Sequence, residues 1–163
     1  MPEWIGIEEA SNRLPRSPGV YIIRWCRNGE PVRIGRLRGE DRKGILYIGS
    51  AKDLRERVRQ LLKSLSGESG EIRHTMAGSY LFFSLSEVIG INEMEITWIE
   101  LNNSNEAQRQ EWLALRYYGK KFGELPPLNL QALRSKYAVV GLAEVGRSRV
   151  VEKLDQRLRD IIN

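Results

Sequence analysis

Glu111 sits where a carboxylate is hardest to account for. At 100° per residue it lies in the middle of a helical stripe formed by Ala107, Ala114, Leu115, Tyr118 and Phe122. A buried carboxylate is costly unless it pairs with a cation, accepts hydrogen bonds or ligates a metal. A partner arginine, a partly solvated helix face and a metal site all satisfy that condition, and the helical wheel leaves the three open. Two tyrosines stand in short glycine-bearing segments, Gly19-Val20-Tyr21 and Tyr47-Ile48-Gly49. Their simplest role is sheet packing. Arg55 and Arg57 occupy opposite borders of the apolar stripe of a helix that follows the second segment, and the stripe does not choose between them. A second basic group, Arg24, Arg27, Arg33, Arg36, Arg38, Arg42 and Lys43, crowds a 20-residue stretch with few acids.

These side chains need elements to hold them. Residues 7–14 read as a short helix stopped by Pro15 and Pro18. Val20 to Trp25 is apolar on both faces, as in a buried strand. Residues 26–43 are charged and contain Gly29, Gly35 and Gly39, the pattern of a long hairpin loop. Ile45 to Ile48 is the returning strand. Alternation places Tyr21 with Ile23 and Trp25, and Tyr47 with Ile45 and Gly49. Residues 51–65 form an amphipathic helix on Leu54, Val58, Leu61, Leu62 and Leu65. Helix is the preferred reading for 72–85, with a broad apolar side of Ile72, Met76, Leu81 and Leu85. Glu95 to Leu101 is a third strand. Asn102-Asn103-Ser104-Asn105 offers cap chemistry for a helix over 105–122. Residues 149–162 form a last amphipathic helix. The order β-β-α-α-β-α predicts an α/β sandwich around a small, mostly antiparallel three-stranded sheet flanked by helices.

The chain has 163 residues, 26 Lys+Arg and 21 Asp+Glu, for a formal charge of +5 and a pI near 9.5. That excess favours a polyanionic partner. One cysteine, Cys26, excludes an internal disulfide and a cysteine-based metal cage. No apolar run reaches membrane-spanning length, and Met1-Pro2-Glu3-Trp4 lacks the features of a signal peptide. The expected setting is cytoplasmic, with no membrane partner.

Four segments resemble one family, the GIY-YIG endonuclease superfamily. Pro18-Gly19-Val20-Tyr21-Ile22-Ile23 is similar to its first motif. Leu46 to Val58 is similar to its second motif and the helix after it. Glu106-Ala107-Gln108-Arg109-Gln110-Glu111 resembles the opening of its acidic helix, and Pro126-Pro127-Leu128-Asn129 its closing asparagine motif. The resemblance implies a nuclease domain over 18–129, an N-terminal helical extension over 1–17, and a C-terminal helical extension over 130–163 that packs on the core or dimerises. It implies that Tyr21 and Tyr47 handle the proton of the attacking water, with Tyr21 as base and Tyr47 orienting it. Arg57, rather than Arg55, matches the family's helix arginine and would hold the scissile phosphate. Glu111 would hold one Mg²⁺ or Mn²⁺, Asn129 is the late asparagine, and Lys52 is a candidate cation beside the phenols. His74, the only histidine, is similar to one that some members carry after the arginine helix.

The hairpin between the tyrosines is longer than the family's usual one, and its extra residues are mostly basic. Arg33, Arg36, Arg38, Arg42 and Lys43, with Arg55, are therefore expected on nucleic-acid phosphates. The expected partner is DNA, with RNA or branched DNA as alternative substrates and a homodimer as a possible assembly. A non-catalytic nucleic-acid-binding domain of the same fold is the competing reading.

Overall fold

The computed structural model describes residues 3–68, 74–130 and 153–163. The elements run β1 (Ile5–Gly6), α1 (Ile7–Arg13), β2 (Gly19–Arg27), β3 (Glu30–Pro31), β4 (Ile34–Gly35), β5 (Glu40–Asp41), β6 (Ile45–Ala51), α2 (Leu54–Leu65), α3 (Thr75–Phe82), β7 (Met94–Glu100), α4 (Ser104–Phe122) and α5 (Gln156–Ile162). The expected α/β sandwich is present. Its three long strands lie in the order β6-β2-β7, all pairs antiparallel. Short β1 and β3 add to the outer edge of β7 and the far end of β2, making five strands rather than three. The basic hairpin closes on itself through a β4–β5 pair.

β2 is apolar on both faces because both are covered. Tyr21 and Ile23 face a cluster built with α1, α2 and α3, while Val20 and Ile22 face one built with α4 and α5. Gly19 begins the strand because a Cβ there would lie 2.2 Å from the Ile99 carbonyl oxygen, so any side chain would push β7 away. The alternation expected for β6 breaks at one place. Ile23 pairs with Tyr47 but Arg24 pairs with Ile45, so Leu46 is an extra residue in the ladder. As a result Ile45 joins Ile48 on the α4 face instead of accompanying Tyr47.

The helices start where side chains satisfy their free N–H groups. Asp53 accepts from the Glu56 N–H at 2.9 Å and starts α2. Asn103 accepts from the Glu106 N–H at 2.9 Å, and the Glu106 carboxylate accepts from the Asn102 N–H at 3.3 Å. That reciprocal pair explains the first glutamate of the 106–111 segment: it caps α4. Asn129, 18 residues after Glu111, returns to the sheet edge described below. The tail helix α5 buries Leu158, Ile161 and Ile162 against α4, and Lys121 Nζ donates to the Ile162 carbonyl at 3.2 Å. Of the helix read over 149–162, residues 149–152 lie outside the described residues. No described helix is long and apolar enough to cross a membrane.

Candidate active site

Tyr21 and Tyr47 come together because the register puts Tyr21 opposite Gly49 and leaves Tyr47 on the same face, two residues along. Their ring centroids are 6.0 Å apart. Gly49 makes this possible. A Cβ there would lie 2.6 Å from Tyr47 Cε1 and 2.8 Å from both Cζ and Oη of Tyr21. The glycine of the second motif is thus a gap into which both rings fit.

His74 closes the cluster from α3. It is the N-cap of that helix, and its Nδ1 accepts from the Met76 N–H at 3.2 Å. Nε2 lies 2.7 Å from Tyr21 Oη. Burial, and then the charge of Arg57, push the imidazole pKa down to about 3. The ring is therefore neutral. With Nδ1 occupied as an acceptor, the proton is assigned to Nε2, which donates to Tyr21. Burial raises the Tyr21 phenol, and nearby Arg57 opposes that rise. The Tyr47 phenol is raised by burial and by Glu111, and lowered by Arg57 and by the neighbouring Tyr21 hydroxyl. All three side chains are buried, Tyr21 fully and Tyr47 with 6% exposure.

Glu111 reaches the same place along the outer edge of β6. That edge presents the backbone groups of Leu46, Ile48 and Ser50, and each is met by a group from α4 or the segment after it. The Leu128 N–H donates to the Leu46 carbonyl at 3.0 Å. Asn129 spans Ile48, accepting from its N–H at 2.9 Å and donating to its carbonyl at 2.8 Å, as a neighbouring strand would. The Glu111 carboxylate accepts from both the hydroxyl and the backbone N–H of Ser50. Burial raises the Glu111 pKa, while Ser50 and Arg57 oppose that rise. Ser50 is a site residue that sequence reasoning missed. The available signal was a hydroxyl directly after Gly49, on a strand whose even-numbered backbone groups face outward.

Not every expected residue arrives. Asn129 supports the strand edge, with both ends of its amide engaged by Ile48. Arg55 Nε donates to the Leu14 carbonyl at 2.6 Å, fastening the end of α1, so part of its guanidinium is engaged within the protein. The phosphate role expected of Arg36 is corrected. Its side chain is only 8% exposed, its Nε lies 3.1 Å from Glu124 Oε1 without hydrogen-bond alignment, and its Nη2 donates to the Leu125 carbonyl. Arg38 donates to the Lys120 carbonyl and stays exposed. Arg33 and Arg42 are exposed and share Glu40, at 3.7 and 3.5 Å. Lys43 lines a groove with Arg24 and Arg157 beside α5, away from the tyrosines. Lys52 is exposed, one residue past β6.

A bound cation finds one carboxylate here. Among the described residues no group of three or more His, Cys, Asp or Glu side chains is placed to hold a metal. Glu111 alone, anchored by Ser50 and strained by burial, fits a hard cation whose remaining ligands are water and phosphate oxygens.

No family model matches the chain. Its sequence is 32% identical over 96 residues to UvrABC system protein C of Acetivibrio thermocellus, covering 59% of this chain and 12% of that protein. It is 38% identical over 53 residues to the protein of the same name from Haloarcula marismortui, covering 32% and 7%. The chain thus spans a small fraction of the length of these relatives. The GIY-YIG N-terminal endonuclease domain of UvrC from Thermotoga maritima, solved with magnesium, aligns at 24% identity and a TM-score of 0.40, over 76% of this chain and 94% of that one. The antiparallel pairing of the two glycine–tyrosine strands and the sequence similarity to part of UvrABC system protein C are what the motif resemblance leads one to expect.

Proposed function

We propose that the chain is an endonuclease that hydrolyses DNA phosphodiester bonds with Mg²⁺ or Mn²⁺ held by Glu111. One observation carries the reading: Tyr21, hydrogen-bonded to His74 and packed beside Tyr47, shares its surroundings with Arg57 and the half-buried carboxylate of Glu111. A packing role for the tyrosines needs none of those polar partners.

When bound, the cation supplies positive charge for the phosphate and makes its bound water more acidic. The protein's groups do the rest. Arg57 is directed at the site from α2 and has the fork geometry to hold two non-bridging phosphate oxygens. Tyr47, the less buried of the two tyrosines, takes the proton of the attacking water. The Tyr21 hydroxyl donates to Tyr47 Oη and so stabilises its phenolate. His74 donates to Tyr21 and fixes that direction; with Nδ1 engaged, it is a positioning residue rather than the base. This reverses the order expected from the sequence, in which Tyr21 was the base, because Tyr21 is fully buried. Burial raises both phenols, so the pair works only beside a cation, and Arg57 already provides part of that effect.

The test is cleavage of plasmid, linear duplex, single-stranded and branched DNA, and RNA, with Mg²⁺ or Mn²⁺. Glu111→Ala and Arg57→Ala run alongside. Loss of DNA cleavage in both variants is the expected result. Cleavage that persists in both defeats the proposal, and tight binding without cutting of any substrate favours a binding domain.

A further inference from the structure

α3 joins the candidate site to an apolar surface that no described residue buries. Its first turn is capped by His74, which touches Tyr21. Met76, Ala77 and Tyr80 bury one side of the helix. At its other end Phe82 and Phe83 are 82% and 53% exposed and lie edge to face, with centroids 5.0 Å apart. Leu81, on the same helix, and Val88, beyond the turn that follows, are exposed as well. Two neighbouring exposed phenylalanines on an ordered helix end call for a partner.

We infer that Phe82 and Phe83 form an aromatic wedge that stacks on, or inserts between, bases of the DNA whose backbone is cut at the tyrosine cluster; this rests on the nuclease reading. Eight residues separate His74 from Phe82, which a helical rise converts to roughly 12 Å. At about 3.4 Å per base along one strand, the wedge meets DNA some three to four nucleotides from the scissile phosphate. Charge favours the same occupant. The chain carries +5, and the Arg27 guanidinium, ion-paired with Glu93, donates to the Val88 carbonyl at 3.1 Å. Exposed aromatic rings on a basic chain suit bases carried on a phosphate backbone.

The experiment uses the full chain with Glu111→Gln, so that DNA is held uncut. A short duplex carries 2-aminopurine, placed in turn at every position. Fluorescence is read on titration, with and without Phe82→Ser/Phe83→Ser in the same background. Binding should raise the fluorescence by unstacking. The double substitution should remove that rise, weaken affinity about ten-fold and leave the melting temperature unchanged, because both rings lie outside the two core clusters. An equal response and affinity in the variant overturn the wedge. So does a concentration-dependent self-association that only the phenylalanines support. Absence of DNA binding defeats both the wedge and the nuclease. A phenylalanine-dependent response from a protein with intact Glu111 that never cuts DNA defeats only the nuclease.

Discussion

Replacing Gly49 with alanine adds one methyl group at the most crowded point of the site. Its carbon would sit 2.6 Å from Tyr47 Cε1 and 2.8 Å from Tyr21 Cζ and Oη. Unstrained carbon contacts lie at about 3.5–4.0 Å, so the rings must retreat by close to 1 Å. Tyr21 has no free direction. It is fully buried, and its Oη is held 2.7 Å from His74 Nε2. A retreat of that size takes the bond past the limit of a hydrogen bond. Overpacking alone costs about 1–3 kcal/mol, and a weakened buried hydrogen bond adds roughly another 1 kcal/mol. Urea denaturation should therefore show Gly49→Ala less stable by about 2–4 kcal/mol. A displacement near 1 Å also predicts a turnover loss on the order of 100-fold on DNA. Gly35→Ala is the control. No atom lies within 4 Å of its added Cβ, and it should stay within about 0.5 kcal/mol of the parent. If Gly49→Ala matches that control in stability and cuts DNA normally, the tight placement of the two rings is wrong.

The remaining predictions concern the supports around that pair. His74 stays neutral when folded down to about pH 3, whereas the unfolded imidazole binds a proton below about 6.5. Its contribution is thus complete above that value and is lost as pH falls through the window. Urea titrations from pH 7 to pH 4 should show a loss steeper in the parent than in His74→Gln, by up to about 1.4 kcal/mol per pH unit; parallel curves would count against a buried neutral ring. Asn129→Ala removes both bonds to Ile48 and leaves two buried backbone groups unpaired, so stability should fall by about 2–4 kcal/mol, and kcat should drop more than KM rises. An equal loss in Asn129→Asp would show that the donor to the Ile48 carbonyl is indispensable; parent-like behaviour of the alanine variant would refute the edge clamp. The logarithmic salt slope of DNA affinity should shrink by roughly 2 in Arg33→Ala/Arg42→Ala, whose guanidinium groups are exposed. Arg36→Ala should leave the slope alone and lower the melting temperature, and the opposite pattern would reverse the roles assigned within the hairpin.

Local pattern alone determined the long elements of the sandwich: Val20–Trp25 is a continuous apolar run of strand length, while Leu54–Leu65 and the stripe around Glu111 repeat at the helical period. It also singled out Glu111, since a carboxylate among Ala107, Ala114, Leu115 and Tyr118 is out of place at any register. Tertiary structure decided what each polar group does. The arginine-rich hairpin looks uniformly basic in one dimension, yet packing against the end of α4 turns Arg36 inward to Glu124 while Arg33 and Arg42 remain outside. Arg55 and Arg57 differ by two residues on one helix, yet the first is tied to the Leu14 carbonyl while the second acts on the phenols and Glu111. His74, 27 residues beyond Tyr47, reaches Tyr21 because α3 packs beside α2 with its N-cap at the tyrosines, a contact that no sequence spacing encodes. Asn129 and Ser50 were obscured for the same reason. Their partners are backbone groups on an unpaired strand edge, and an edge exists only once the sheet has chosen its neighbours. Periodicity records which side of an element is buried, but the direction of a hydrogen bond, and so the pairing of His74 with Tyr21, is set by what lies across the gap.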